Sequence, residues 1–256
     1  MNCRGFQTLT VPTIVDRFSG RSADRWANLG SIVTLEDRGT QLADMLVAFD
    51  FDGTLSDSEM TVLLGARQGV AEEMESITER AMNDEISYAE SLRDRASLLE
   101  GLPESKAQDA FDEVVLRPGA ADVIRAIDDA GHTTAILTGG FTAGVEAALD
   151  RENVAVDHLV ANDLPIEDGA LTGDVTGPLI EGTKDDALED LAADLGLDLA
   201  DTVAVGDGAN DLPMLEVAGL AVGFQPKSAV RPHCDVSVAT MDRLQTVLAD
   251  NGVLEN

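Results

Sequence analysis

The sequence has few cysteines, few aromatic residues and few positive charges. Its 256 residues include two cysteines, one tryptophan and one tyrosine. Cys3 and Cys234 are too few and too far apart in sequence for a disulfide framework or a zinc site. The three histidines, His132, His158 and His233, show no spacing typical of metal ligands. No apolar run is long enough for a transmembrane helix, so we expect no membrane partner.

Positive charge is especially scarce. The chain has 17 Lys and Arg against 48 Asp and Glu, which gives a net charge of −31. Such a charge disfavours nucleic acid and anionic membranes as partners. An acidic chain with few aromatics can be disordered, but a hydrophobic content of 44 % and clear strand-like runs indicate a packed fold. The dense acidic surface is of the kind found in a high-salt cytoplasm, and we expect a cytoplasmic protein.

The first 44 residues differ from the rest of the chain. Five arginines balance five acidic residues there, so the whole net charge falls on residues 45–256. The segment has no sustained helical or strand period, and no apolar stretch of a signal peptide follows Arg4. We expect residues 1–44 to be a disordered extension or a mis-called start. No feature of this segment supports a role as a regulatory tail.

The most informative segment is a short apolar run that ends in two carboxylates. Residues 46–54 read LVAFDFDGT, as expected for a buried parallel strand followed by a turn. Asp50 and Asp52 then lie at the carboxyl end of the strand, where open α/β sheets bind ligands. Two carboxylates this close repel unless a hard cation lies between them. The pattern suggests a carboxylate nucleophile beside Mg²⁺, although in a chain this rich in Asp a solvated acidic turn would be the better explanation of this segment alone.

Two further segments place charged side chains at element ends. Residues 202–211 read TVAVGDGAND, a strand followed by a loop that contains Asp207 and Asp211. Lys184 is one of only three lysines in the chain and opens a predicted helix. A lysine at a helix start works against the macrodipole, which favours a local electrostatic role.

Another predicted strand ends in two glycines. Residues 134–141 read TAILTGGF, with Thr138, Gly139 and Gly140 at the strand end. Glycine lets the backbone come close to a ligand, and N–H groups at a helix start attract anions. We therefore expect an anion to bind where this strand meets the next helix.

In chain order, these four segments resemble the four signature motifs of the haloacid dehalogenase superfamily of aspartyl-phosphate-forming phosphatases. The resemblance implies that Asp50 attacks phosphorus and that Asp52 acts as acid and then as base. It implies that Mg²⁺ is held by the Asp50 and Asp207 carboxylates and the Asp52 main-chain carbonyl. It also implies phosphoryl binding by four residues: Thr138, Gly139, Lys184 and Asn210. Asp211 would orient Lys184 or a metal-bound water.

The periodicity predicts a doubly wound parallel α/β sheet with two insertions. Residues 57–116 have apolar residues at helical spacing and no strand-like run, which predicts a helical cap after the first strand. The Asp-Gly turn at Gly169 and the strand-like residues 172–176 predict a small hairpin. We expect a core of residues 45–56 and 117–256.

Two residues of the predicted cap suggest a substrate. Glu59, together with the SLRDR run that contains Arg95, resembles the phosphoserine phosphatase family within that superfamily. There, the matching glutamate binds the substrate ammonium and the matching arginine binds its carboxylate. A zwitterion needs such a pair of opposite charges, although a solvated helix face is the alternative. The resemblance therefore implies hydrolysis of phosphoserine to serine and phosphate.

Rival functions stay open at this point. The nearer rival is a phosphatase or phosphotransferase of the same superfamily that acts on another small phosphomonoester. A rival of another class is a non-catalytic regulator that binds metal or phosphate. The sequence gives no indication of the oligomeric state.

Overall fold

The computed structural model describes residues 44–82, 85–181 and 183–255. The prediction for residues 1–44 lies outside this part of the chain, apart from Asp44. Within it, six parallel strands form one sheet in the order β3-β2-β1-β6-β7-β8. The strands are β1 (Leu46–Phe49), β2 (Thr133–Phe141), β3 (His158–Asn162), β6 (Thr202–Gly206), β7 (Leu220–Phe224) and β8 (Val236–Val238).

Strand β1 lies in the centre of the sheet and is buried on both faces. Val47 and Phe49 pack into the hydrophobic core on one face, while Leu46 and Ala48 pack into the core on the other. Alternate residues of a strand point to opposite faces, so a continuously apolar strand needs a helical layer on each side. The predicted doubly wound parallel sheet is confirmed.

Helices connect the strands and cover both faces. None of the helices in the described part of the chain is long and apolar enough to cross a membrane. Four of them, α1 to α4, follow β1 and form what we call the helical insertion. Their bounds are α1 (Met60–Gln68), α2 (Ala71–Met82), α3 (Tyr88–Ser97) and α4 (Glu104–Phe111). The others are α5 (Ala120–Asp129), α6 (Thr142–Glu152), α7 (Lys184–Leu195), α8 (Leu212–Val217) and α9 (Met241–Asp250).

The two ends of the helical insertion lie side by side. Ser56, before α1, forms a β-bridge with Leu116, which follows α4. The next residue, Arg117, donates its backbone N–H to the Leu55 carbonyl at 2.7 Å. The insertion therefore leaves and rejoins the core at one place, at the carboxyl end of β1. The helical character predicted for this segment is confirmed, while the domain boundaries themselves stay a prediction.

The second insertion contains the expected hairpin, but its second strand comes earlier than predicted. Strands β4 (Ile166–Glu167) and β5 (Ala170–Leu171) are antiparallel, and Glu167 pairs with Ala170. Asp168 and Gly169 both have positive φ, 51° and 79°. A two-residue turn of this kind pairs the residues immediately on either side of it. The prediction of residues 172–176 as the returning strand was therefore wrong.

The excess of acidic residues leads to a prediction about salt. Helix α7 alone carries five acids in 12 residues, and Asp186, Glu189, Asp190 and Asp194 are exposed. Like charges at this density repel one another in the folded state, and salt screens them. We expect the melting temperature to rise from low to molar KCl, measured by differential scanning calorimetry. A melting temperature independent of salt would contradict this interpretation of the composition.

Candidate active site

Three neighbouring strands bring the site residues to one edge of the sheet. Asp50 follows β1 and donates its backbone N–H to the Val205 carbonyl of β6 at 2.8 Å. Asp207 follows β6 directly. The turn after Asp50 packs closely against Asp207. If Gly53 carried a side chain, its Cβ would lie only 2.6 Å from Asp207 Oδ1. With φ of 89°, Gly53 takes a conformation that favours glycine and leaves room for this contact.

A buried lysine joins two of the carboxylates. Lys184 Nζ lies 2.6 Å from Asp50 Oδ1 and 2.6 Å from Asp211 Oδ1. The other oxygen of Asp211 accepts the backbone N–H groups of Asp207 and Gly208, each at 2.9 Å. Asp211 therefore holds both Lys184 and the loop after β6, and Lys184 contacts only Oδ1 of Asp50.

Burial raises the pKa values of Asp50 and Asp52. Burial, with the nearby Asp211, raises the pKa of Asp50 to about 7, although the Lys184 ammonium opposes the rise. Asp52 has its pKa raised well above 3.8 by burial and by the charges of Glu59 and Asp50. Burial alone would lower the pKa of Lys184, but Asp211 and Asp50 outweigh it and raise that pKa. The two carboxylates therefore favour the charged form of Lys184, while burial and neighbouring negative charge favour the protonated form of Asp52.

The carboxylate cluster has the composition of a site for a hard cation. One oxygen each from Asp50, Asp207 and Asp211 lies within 4.8 Å of the others. The donors are all oxygen, which suits Mg²⁺ or Ca²⁺ and not a soft metal. Both oxygens of Asp211 already accept hydrogen bonds, so the Asp50 and Asp207 carboxylates are the better placed ligands.

Thr138 and the glycines after it lie beside Asp52. The Thr138 hydroxyl accepts the Gly140 backbone N–H at 3.0 Å. A Cβ on Gly140 would lie 3.1 Å from Asp52 Oδ2 and 3.2 Å from Thr138 Oγ1. The fully buried Asn162 donates its amide to the Gly139 carbonyl at 3.1 Å. The end of β2 is therefore fixed next to the second catalytic candidate, Asp52.

The helical insertion faces this edge with helix α3. Ser87 caps the helix by accepting the Glu90 backbone N–H at 3.1 Å. Tyr88 and Arg95 are two turns apart, so they share one face. That face meets the end of β2, because a Cβ on Gly139 would lie 1.8 Å from the Tyr88 hydroxyl oxygen.

Arg95 and Glu59 lie close enough to influence each other's charge. Arg95 donates from Nη1 to Thr61 Oγ1 and from Nε to the Ser91 carbonyl, both at 3.2 Å. Burial lowers the pKa of Arg95, while Glu59 and Asp52 act against that change. Glu59 is exposed, and partial burial raises its pKa while Arg95 opposes the rise. Both residues also act on the charge of Asp52, so the three groups lie within electrostatic reach of one another.

The structure also brings in residues that the sequence did not suggest. Tyr88 and Lys227 both lie at the site, and Lys227 Nζ is 3.1 Å from Asp207 Oδ2. Tyr88 is the one tyrosine of the chain and Lys227 one of three lysines, so rarity was the available signal. The predicted phosphate ligand Asn210 points at its own loop, where its Oδ1 would meet a Cβ on Gly208 at 2.6 Å. Its role stays a prediction.

Comparisons with known proteins agree with this arrangement. The family model of haloacid dehalogenase-like hydrolases matches residues 47–216. A phosphoserine phosphatase of Halobacterium salinarum is 55 % identical over 208 residues, which are 81 % of this chain and 99 % of that protein. One of Methanocaldococcus jannaschii is 38 % identical, over 77 % of this chain and 93 % of the other.

Solved structures are similar as well. A substrate-bound phosphoserine phosphatase complex has a TM-score of 0.73 at 35 % identity, covering 80 % of this chain and 97 % of that one. A phospho-aspartyl intermediate analogue of phosphoserine phosphatase has a TM-score of 0.72 at 36 % identity, with coverage of 80 % and 97 %. The chain belongs to the haloacid dehalogenase-like hydrolase family. Within this family, both relatives and both solved structures described above are named as phosphoserine phosphatases.

Proposed function

We propose that this protein hydrolyses phosphoserine to serine and phosphate through an aspartyl phosphate on Asp50, with Mg²⁺ as the cofactor. The observation that carries this proposal is the position of two side chains of the helical insertion, Glu59 and Arg95, next to Asp52 of the core. Chemistry and substrate recognition then share one site. The relatives named as phosphoserine phosphatases support the same substrate.

Asp50 is the nucleophile of the first step. Lys184 holds Oδ1 at 2.6 Å, which leaves Oδ2 to form the bond to phosphorus. The Lys184 ammonium favours the ionised form of Asp50, which is the form that attacks phosphorus, against the effect of burial. The bond between phosphorus and the serine oxygen breaks as the aspartyl phosphate forms.

Asp52 moves the proton in both steps. Burial and the charges of Glu59 and Asp50 raise its pKa, which favours the protonated form that donates a proton to the departing serine oxygen. The resulting carboxylate then takes a proton from the water that attacks phosphorus, and the bond between phosphorus and the Asp50 oxygen breaks to release phosphate. One residue therefore serves as acid in the first step and as base in the second.

The phosphoryl group needs positive charge and N–H donors around it. Lys184 supplies a charge, and the Thr138 hydroxyl with the Gly139 amide supplies hydrogen bonds at the end of β2. Asn210 is a further candidate ligand, and Asp211 fixes Lys184. Mg²⁺, held by the Asp50 and Asp207 carboxylates and the Asp52 carbonyl, would offset the charge of the phosphoryl oxygens.

Substrate recognition falls to the helical insertion. Glu59 pairs with the substrate ammonium, and the Arg95 guanidinium pairs with its carboxylate. No ion pair joins Glu59 to any other residue in the described part of the chain, so its carboxylate is available to a ligand. We further propose a cytoplasmic enzyme adapted to high salt, which the acidic surface supports.

Phosphate release from phosphoserine is the direct test of this function. We expect turnover with Mg²⁺, no turnover after EDTA treatment, and recovery when Mg²⁺ is added back, measured by phosphate assay. Phosphothreonine, p-nitrophenyl phosphate and a sugar phosphate serve as comparison substrates. Equal or faster hydrolysis of these would contradict phosphoserine as the substrate, and transfer to added free serine would identify a phosphotransferase.

The raised pKa of Asp50 gives a prediction about pH. Asp50 with a pKa near 7 binds a proton in slightly acidic solution, and a cation that binds its carboxylate must displace that proton. We expect Mg²⁺ to bind more tightly at pH 8 than at pH 6 and to release protons at pH 6. Calorimetry in buffers of different ionisation enthalpy measures both quantities. Affinity that does not change over this range would contradict an unusual Asp50 at the metal site.

A further inference from the structure

Lys227 contacts Asp207 through both its backbone and its side chain. It lies in the segment between β7 and β8, at the same sheet edge as the acidic cluster. Its backbone N–H donates to the Asp207 carbonyl at 2.9 Å, and its Nζ lies 3.1 Å from Asp207 Oδ2. The backbone bond fixes the start of the side chain, so the ammonium is held close to the carboxylate that also faces the predicted metal site.

The surroundings of Lys227 are otherwise acidic. Besides Asp207, its charge acts on Glu59 and Asp211, and Nζ would lie 3.5 Å from a Cβ on Gly208. Two of the three lysines in the chain, Lys184 and Lys227, therefore stand at one group of carboxylates. They differ in exposure, because the Lys184 side chain is 3 % exposed and the Lys227 side chain 58 %.

This difference separates their roles. Lys184 is enclosed between Asp50 and Asp211 and has no route to solvent. Lys227 holds a single carboxylate oxygen from the solvent side, on a flexible stem that can swing away. An exposed ion pair of this kind is weak, so a cation of higher charge displaces it easily.

We propose that Lys227 is a positioning residue that occupies Asp207 when no divalent cation is bound and competes with that cation for Asp207 Oδ2. In the metal-free protein, the ammonium balances the charge of Asp207 and keeps the carboxylates from repelling one another. The divalent cation takes over Asp207 only after the ammonium has moved, so Lys227 weakens divalent-cation binding. This inference rests on the metal site of the proposed function but not on its substrate.

The test is the affinity for Mg²⁺ of the full-length protein, measured by calorimetry without substrate at one fixed KCl concentration. Lys227→Met keeps the length of the side chain and removes the charge. We expect it to bind Mg²⁺ roughly fivefold more tightly than the wild type, as for the loss of one charge near the cation in a solvent-screened setting. Lys227→Arg keeps the charge and should stay within about twofold of the wild type.

The third lysine provides a matched control. Lys106 is exposed on α4 of the helical insertion, so Lys106→Met changes the net charge by the same amount away from Asp207. We expect its affinity for Mg²⁺ to equal that of the wild type. If Lys106→Met and Lys227→Met both bound Mg²⁺ more tightly by the same factor, only the net charge would determine the affinity. That result would overturn the proposal.

The remaining outcomes also decide the matter. Weaker binding in Lys227→Met would show that the lysine holds Asp207 in place for the metal, the reverse of competition. Unchanged binding, or no binding of Mg²⁺ to the wild type, would equally overturn the proposal. A protein that binds Mg²⁺ but does not hydrolyse phosphoserine would contradict the proposed function alone, since the calorimetric comparison needs no substrate.

Discussion

Replacing Asp50 with asparagine is expected to reduce phosphate release from phosphoserine to the uncatalysed background. The amide has the shape of the carboxylate but neither its charge nor its ability to bond to phosphorus. We expect a loss of at least about a thousandfold in kcat, which corresponds to roughly 4 kcal/mol of barrier. Initial rates at saturating phosphoserine and Mg²⁺ measure it.

The fold should survive this change. Lys184 keeps its contact of 2.6 Å with Asp211, and the substitution removes a carboxylate that burial makes costly to ionise. The melting temperature should therefore stay close to that of the wild type. Asp57→Asn, an exposed acid in the following turn, is the matched control and should keep full activity. If Asp50→Asn kept a tenth of the activity, about 1.4 kcal/mol, the aspartyl-phosphate mechanism would be wrong.

Replacing Arg95 with alanine is expected to lower kcat/KM for phosphoserine by about thirtyfold or more. The substitution leaves the substrate carboxylate without its partner, and breaking comparable charge pairs costs about 2–5 kcal/mol. Hydrolysis of p-nitrophenyl phosphate, which has no carboxylate, should change little. The measured quantity is the ratio of the two losses.

Three more variants make this result specific. Arg95→Lys should restore activity only in part, because an ammonium lacks the bidentate geometry of a guanidinium. Glu59→Gln should lower kcat/KM for phosphoserine but not for p-nitrophenyl phosphate, because only phosphoserine has an ammonium group that pairs with Glu59. Arg93→Ala is the control, because Arg93 lies on the same helix but is exposed and pairs with Glu181. Equal losses on both substrates would mean that Arg95 only holds α3 to Thr61 of α1.

The acidic cluster could be predicted because it depends on local patterns. Asp50 and Asp207 each end a continuously apolar strand, and parallel strands bring their carboxyl ends to the same edge. The hairpin was only partly predictable. The Asp168-Gly169 turn was recognised, but strand-like residues further on competed with the pairing that a two-residue turn imposes.

The rest of the site depends on contacts between distant segments. Lys227 reaches Asp207 because the loop after β7 folds back over the sheet edge, and the residues around Lys227 give no local pattern that shows this. Tyr88 reaches Gly139 only once helix α3 lies against the end of β2. In the sequence, Asn162 looks like any polar residue at the end of a strand. Only the fold shows that its amide donates to the Gly139 carbonyl. Such pairings are set by tertiary packing, which a single sequence does not display.

The paired ends of the helical insertion bear on how a protein of this kind can diversify. Ser56 and Leu116 are neighbours in the core. Any segment that replaces the helical insertion therefore has to join two points that are already close together. The entropy of closing a loop grows only slowly with its length, so one insertion can replace another at little cost to the stability of the sheet. Asp50, Asp207 and Lys184 lie outside the exchanged segment, whereas Glu59 and Arg95 lie within it. With the residue roles proposed above, selection can change the recognised substrate through substitutions in residues 57–116 without altering the catalytic residues of the core.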